Sequence, residues 1–509
     1  MLALLFALAL AVPPLGWVFG RQGATLSENR KLTAPPDFRL TQIKDLPNRI
    51  DAYYGDHVGF RGAIIRASGL LLHRYLGESS ADVIVGKSPS PGQPPWYFYA
   101  SQGIIEDRLG LGQLTPAQLE SWRRTLESRT KWLQRRGQAY LFVIVPEKSS
   151  VYPELLPDYI QTHLASTRLD QLSRYLKAAR SPVVFLDLRH TLRQAKPGGD
   201  LYFPFDTHWN GRGMFHAYEG IMAALQPFFP DLSADRMGTD FEIRARPDSL
   251  HADLAWMLGL TATSTAPLLA VRGDAPAKYA PSPWPAGFDP SLNTNDGAYA
   301  LERPGRGRRV LVFHDSFFVS PLFSRESQPL AAHFARSYFA WLPPTDAALK
   351  RFVEMENPDL VVEEHGERSL RLVPPPPAPL DPLTPQLRRS AIAPAFAIEK
   401  INTRRYRPDA VLSANGELRI EGWAFDTSSR RPAAAVEIMI DGVPQPASYG
   451  LDRSDPEPSG CDACKETGFV ADLSAAGLSP GPHTLGIRVI SADGASYTEA
   501  NWGRFRIDK

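Results

Sequence analysis

Between residues 115 and 363 the chain repeats one alternation, a run with apolar residues at helical spacing and then a short, continuously apolar run. Few folds accept this pattern, because a strand that is apolar throughout must be covered on both faces and the intervening helices supply the covers. Thr115 to Arg136 reads as a helix opened by a Thr-Pro pair at the cap and first position, and Ala139 to Val145 as a strand ending at Pro146-Glu147-Lys148. Thr167 to Ala179 is the next helix and Val183 to Leu188 the next strand. Gly211 to Leu225 is helical, Arg309 to Phe313 a buried strand, Thr345 to Met355 helical, and Leu360-Val361-Val362-Glu363 a last buried strand. The fold class is therefore α/β, a largely parallel sheet with flanking helices.

Two regions stand outside the alternation. Residues 230 to 305 read as an irregular or β insertion holding one short helix, His251 to Leu260, and such an insertion could form a wall of a substrate groove. Residues 395 to 509 follow a Pro-rich linker, 374 to 394, and carry short alternating runs such as Val436 to Ile440 and Thr484 to Ile490, separated by Asp441-Gly442 and Asp493-Gly494 turn signals. They predict a C-terminal β-sandwich domain whose aromatic residues, Trp423, Phe425 and Trp502, are core first and sugar-stacking surfaces second. Upstream, Ile50 to Leu76 reads as two helices broken around Gly55 to Arg61, and Val83 to Lys87 with Trp96 to Tyr99 as a strand pair across a Pro-rich loop.

Residues 1 to 22 open with twenty uncharged, mostly apolar positions, which fits a membrane anchor or an export signal. A retained anchor is the expectation, although Arg21, Arg30 and Lys31 follow the run and no Lys or Arg precedes it. The formal net charge is +1 with mixed signs throughout, so nucleic acid is not an expected partner. Cys461 and Cys464 are the chain's two cysteines. They lack the second pair of a zinc site, and a local disulfide is the simpler expectation than a redox role. Neither a metal nor a cofactor is called for.

One constellation carries chemistry. Asp206-Thr207-His208 places a carboxylate two residues before an imidazole, and Ser316 sits just past the carboxyl end of the strand Arg309 to Phe313, where open α/β sheets keep their reactive groups. A His held by a carboxylate matters for acyl chemistry when its other nitrogen reaches a nucleophile, so the candidate catalytic residues are Ser316, His208 and Asp206. Each has a plainer reading: Asp206 as the cap of the helix near Gly211, His208 as a core histidine beside Trp209, and Ser316 as the cap of a following helix.

Several blocks occur in a fixed order: Glu28-Asn29-Arg30, Gly59-Phe60-Arg61, Val145-Pro146-Glu147-Lys148 with Val151-Tyr152-Pro153-Glu154, Asp206-Thr207-His208-Trp209, Asp253-Leu254 with Met257 to Leu260, the Ser316 strand, and Asn357 to Val362 with Glu367-Arg368. Together they resemble the SGNH hydrolase-like domain of the alginate O-acetylation proteins, exported acetyltransferases that modify bacterial exopolysaccharides. The resemblance spans about residues 25 to 373. It implies an SGNH-like sheet, Ser316 as nucleophile, His208 as general base, Asp206 as its orienter, and an acetyl-serine intermediate that delivers acetyl to polysaccharide hydroxyls. It also implies a periplasmic location on the inner membrane and an acetyl donor supplied by a membrane-embedded acyltransferase. His314 stands where relatives carry a Gly two residues before the Ser, which puts the oxyanion hole in question and leaves the Ser316 N–H as its one nameable donor. An acetylesterase using water as acceptor shares these residues, and a non-catalytic polysaccharide-binding scaffold is the rival from another class.

Overall fold

β3 (Ala139–Val145) and β11 (Leu360–Gly366) are buried at every position and pair in parallel along their whole length, Leu360 beside Ala139 and Gly366 beside Val145. They form the centre of a seven-stranded sheet in the computed structural model, with β4 (Val184–Asp187) outside β3, and β9 (Arg309–Phe313) and β10 (Arg336–Ala340) outside β11. These five strands run parallel; β8 (Ala298–Glu302) and β7 (Lys278–Ala280) extend the sheet antiparallel beyond β10. The structure describes residues 33, 35, 46–57 and 82–508, apart from short stretches within 249–296, 319–327, 378–386, 403–416, 453–464 and 476–477. The anchor expected over residues 1 to 22 and the blocks at 28–30 and 59–61 lie outside the described residues. Among the described residues no helix is long and apolar enough to cross a membrane.

Helix boundaries follow their capping chemistry. α1 (Pro116–Arg135) starts at Thr115, whose hydroxyl accepts the Gln118 N–H while the Gln118 side chain accepts the Thr115 N–H, and α2 (Arg168–Ala178) starts at Thr167 with the same reciprocal pair to Asp170. α3 (Gly211–Leu225) is capped by Asn210, whose side chain accepts from the Arg212 and Gly213 N–H groups. Asp206 is therefore not the cap of this helix. Two apolar clusters cover the sheet, one holding Leu141, Val143, Trp209, Phe215 and Val312, the other Trp122, Phe142, Ile144, Leu311 and Phe352 of α5 (Asp346–Glu356). This is the two-sided cover that the apolar strands require.

One correction concerns the middle of the chain. The segment 230 to 305 is not wholly an insertion, since β7 and β8 belong to the main sheet; what stands apart is an antiparallel ribbon of β5 (Phe241–Asp248) and β6 (Ser264–Val271), with α4 (Asp253–Met257) between its strands. The helix Leu46–His57 ends within the stretch from Gly55 to Arg61 where the sequence predicts a break.

β11 also extends past its apolar part into Glu363, Glu364 and His365, all buried. Glu363 survives there because Arg129 of α1 donates to both its oxygens at 2.7 Å, Tyr140 donates at 2.7 Å, and His365 lies at 2.9 Å. Burial pushes the Glu363 carboxyl up, but the Arg129 charge and the hydrogen bonds from His365 and Tyr140 outweigh it and hold the group at about 2. Removing one partner of a buried pair strands the other charge, so Arg129→Ala should destabilise the protein by roughly 3–5 kcal/mol in denaturant titrations. Because the folded carboxyl titrates below its unfolded value, the stability from this pair is full above the ordinary carboxylate range and is lost as pH falls toward 2.

Among the described residues ten strands form one hydrogen-bonded sheet in the order Arg388–Arg389, Ser496–Asp508, Gly481–Ile490, Ala435–Ile440, Val443–Leu451, Gly468–Ser474, Glu417–Phe425, Ala395–Ile401 and Arg404–Arg405, with Ala410–Ser413 on Ser496–Asp508. The two separate sheets expected of a sandwich are therefore joined, and they share one core: Ile398, Ile420 and Phe469 from one end of the order meet Ile438, Leu485 and Phe505 from the other, which requires the sheet to fold back on itself. The turn signal at Asp441-Gly442 holds, with positive φ at both residues (50° and 79°) between Ile440 and its partner Val443. Cys461 is disulfide-bonded and packs beside Phe425; Cys464 lies outside the described residues. Phe425 is buried and Trp423 packs against it, whereas Trp502 is 40% exposed.

Candidate active site

The Ser316 loop takes its shape from its neighbour. β9 ends at Phe313, and Ser316–Phe318 form a single 3₁₀ turn. The Asp315 carboxylate accepts from the Phe317 N–H at 2.9 Å and from the Gly366 N–H at 2.7 Å, and its own N–H donates to Glu364 at 2.9 Å. Asp315 thus ties the turn to the end of β11 and is a turn residue, as its short side chain suits it to be. The backbone at His314 itself is ordinary. His314 is buried among the rings of Tyr299, Phe318, Phe339 and Trp341, its N–H donates to the Ala340 carbonyl at 3.0 Å, and it is absent from the described non-glycine residues with positive φ. Nothing in that backbone conformation requires a glycine.

Asp206 and His208 come from the long loop ahead of α3 and not from a strand end. That loop closes on itself through the Asn210 N–H to Leu201 carbonyl bond (2.8 Å) and the Phe203 N–H to His208 carbonyl bond (3.2 Å). It is fastened to the serine loop by the Trp209 indole N–H, which donates to the Phe317 carbonyl at 2.9 Å.

These contacts bring the three sequence-nominated residues together. His208 Nδ1 lies 2.8 Å from Asp206 Oδ1, and His208 Nε2 lies 2.9 Å from Ser316 Oγ. A carboxylate can only accept, so Nδ1 carries the proton and Nε2 is left to accept from the hydroxyl. The plainer readings of these residues do not account for this arrangement: His208 has a part-exposed side chain (23%), and its two ring nitrogens are both engaged by the other two candidates.

Electrostatics separate the groups. Burial pushes Asp206 up, yet its hydrogen bond and charge contact with His208, and the N–H groups of His208 and Asp253, hold it at about 2. Burial pushes His208 down, and the Asp206 hydrogen bond and charge, with a smaller contribution from Asp253, bring it above its ordinary value. The Asp206 carboxylate is thus charged across the working range, and the imidazole is a stronger base than a free one.

Three more residues reach the site, none of them assigned a role from residue spacing. Lys148, at the end of β3, is buried, donates to the carbonyls of Tyr97 (2.7 Å) and Pro204 (3.3 Å), and is pushed down to about 7 by burial against the pull of Asp206 and Asp253. Arg368 is fixed by Glu147 through bonds of 2.6 and 3.0 Å, and its guanidinium lies over Tyr99 and Phe317 at 5.1 and 5.8 Å. Asp253 begins α4 and binds the Asp206 turn directly. All three fall inside the ordered blocks quoted above, and that position was the one available signal.

Residues 90–280 match the family described as the SGNH hydrolase-like domain of the acetyltransferase AlgX. That span holds Asp206, His208 and Asp253 and ends before Ser316. A Pseudomonas putida protein described as a probable alginate O-acetylase, AlgJ, is 30% identical over 135 residues, which is 26% of this chain and 33% of that one, so the chain spans about a third of that relative's length. Among solved structures, the O-acetyltransferase domain of Pseudomonas putida AlgJ overlaps at 18% identity with a TM-score of 0.37, covering 57% of this chain and 93% of that one. Pseudomonas aeruginosa AlgX overlaps at 11% identity with a TM-score of 0.39, covering 82% and 89%. Overlaps this loose carry no argument about the site. Through residues 90–280 the chain is thus similar to the SGNH hydrolase-like domain of the acetyltransferase AlgX.

Proposed function

We propose that the chain is an O-acetyltransferase that moves an acetyl group through acetyl-Ser316 to hydroxyls of a bacterial exopolysaccharide. The observation that carries this reading is the hydrogen-bonded run from Asp206 through His208 to Ser316. In the first half-reaction Ser316 Oγ attacks the acetyl carbonyl of the donor while its proton passes to His208 Nε2. The donor's leaving group departs with that proton, and the acetyl ester of Ser316 remains. In the second, a sugar hydroxyl gives its proton to Nε2 and attacks the acetyl-serine; collapse releases the sugar acetate and returns the proton to Ser316. Asp206 keeps the imidazole in the required tautomer and stabilises its cation. The Ser316 N–H has no acceptor among the described residues and serves as an oxyanion donor.

Around this centre the reading places an anchor or signal in residues 1 to 22, the acetyltransferase domain in 25 to 373, a linker in 374 to 394, and a polysaccharide-holding domain in 395 to 509, with the exposed Trp502 as a stacking surface. The location is the periplasmic face of the inner membrane, with acetyl passed outward by a membrane-embedded acyltransferase. Water at the acceptor position would make the same residues an acetylesterase, and the half-buried imidazole leaves water a route. Incubating the purified chain with a small acetyl ester and a panel of bacterial oligosaccharides decides between them: acetylated oligosaccharide in the product masses supports transfer, whereas acetate with every acceptor would make the protein an esterase.

A further inference from the structure

α4 lies in the segment that the strand and helix alternation leaves unexplained, yet its first residue grips the site. The Asp253 N–H donates to Asp206 Oδ2 at 3.2 Å, and Asp253 Oδ1 accepts the Thr207 N–H at 2.8 Å. The next two N–H groups of the helix, of Leu254 and Ala255, both donate to the Phe205 carbonyl, at 3.1 and 3.3 Å. Four hydrogen bonds therefore clamp residues 205 to 207 from one side, next to an imidazole that must be held to within a fraction of an ångström. The clamp also brings a second carboxylate to the imidazole, since ligand-type atoms of Asp206, His208 and Asp253 all lie within 4.8 Å of one another.

We propose that Asp253 is a positioning residue for the triad, holding the Asp206 turn in place and setting a second negative charge against His208. The inference rests on the reading of Ser316, His208 and Asp206 given above. The groups facing Asp253 are Asp206 and His208 from the loop and Lys148 from the end of β3; Arg368, after β11, acts on His208 from another side. Lys148 gives its hydrogen bonds to two carbonyls and forms no direct ion pair with Asp253, so the Asp253 charge is left to act on the imidazole. Burial and the neighbouring Asp206 push Asp253 up to about 6, and His208 feels the charge in the direction that strengthens it as a base. Above that pH the second carboxylate favours the imidazolium that forms as Ser316 loses its proton.

Full-length Asp253→Asn, Asp253→Glu and Ser316→Ala test this. Asn keeps the shape, and its amide oxygen can still accept the Thr207 N–H, so Asp253→Asn removes the charge and spares the clamp. We expect kcat/KM for a small acetyl ester to fall about tenfold and the acid limb of its pH profile to move about one unit lower, with the unfolding midpoint unchanged and the limb restored in Asp253→Glu. A wild-type limb in Asp253→Asn, with or without a lowered unfolding midpoint, overturns the proposal and leaves Asp253 an ordinary helix-start residue. If the variants at 253 do not fold, the His208 ring resonances of Ser316→Ala should titrate in two steps, the minor one near pH 6, and a single step overturns the proposal. Ser316→Ala also separates the two ideas. Retained activity there defeats the triad reading itself, whereas an inactive Ser316→Ala beside an unmoved limb in Asp253→Asn defeats the positioning role alone.

Discussion

Ser316→Ala should lose acetyl transfer by roughly ten-thousandfold to a millionfold and should no longer form a covalent acetyl adduct. The size follows from the geometry. Ser316 Oγ lies within hydrogen-bond reach of His208 Nε2, and among the described residues no other hydroxyl or thiol bonds to that nitrogen. The oxyanion donor and the substrate contacts survive the substitution, which is why a residue of catalysis above the uncatalysed rate persists. Folding should be unaffected, because Asp315 and Trp209 hold the turn without help from the serine side chain. Comparing unfolding midpoints and single-turnover rates of the two proteins checks both halves of this expectation.

Losses at His208 and Asp206 are also large but differ in kind. His208→Ala removes the group that bonds to Ser316 Oγ and would take and return its proton, so its loss should match that of Ser316→Ala. Asp206→Asn keeps an acceptor oxygen near Nδ1 and the main-chain bonds of the turn, and should cost on the order of 10,000-fold, with a measurable residue. The pH profile distinguishes the roles. Asp206 raises His208 above its ordinary value, so wild-type activity should rise through a pH above that value as the imidazole loses its proton. Removing the negative charge lowers His208, so the acid limb of Asp206→Asn should sit at lower pH than that of wild type. A limb at unchanged pH would mean that the carboxylate does not act through the imidazole.

The part of this structure that is local could be read from the sequence, and the part that depends on distant partners could not. β3 and the first half of β11 are continuous apolar runs, α1 is announced by Thr115-Pro116, and Asp441-Gly442 sits in the turn its positive φ values demand. The strand read from Leu360 to Glu363 stopped short of Glu364, His365 and Gly366, because buried polar groups at a strand end depend on distant partners, as Glu363 does on Arg129, 234 positions away. β7 and β8 were assigned to an insertion because a short edge strand pairing antiparallel has no pattern of its own that separates it from a ribbon. The plainer reading of Asp206 as the cap of α3 stayed open in the sequence for a related reason: Asp206 and Asn210 are both good capping residues, and only the fold engages the first with His208 and Asp253. At the site, spacing alone nominated Asp206, His208 and Ser316, since the chemistry requires those types in some order. Asp253, Lys148 and Arg368 act through backbone amides, carbonyls and ring faces, which leave no trace in residue spacing.

The most direct measurement of the central claim is peptide mass spectrometry on the wild-type chain quenched during turnover of a small acetyl ester in the absence of acceptor. The account predicts one added acetyl group on the peptide holding Ser316, discharged when an oligosaccharide acceptor is supplied and absent from Ser316→Ala. Turnover with no acyl group on that peptide, or with a kinetically competent acetyl group on another residue, would contradict it.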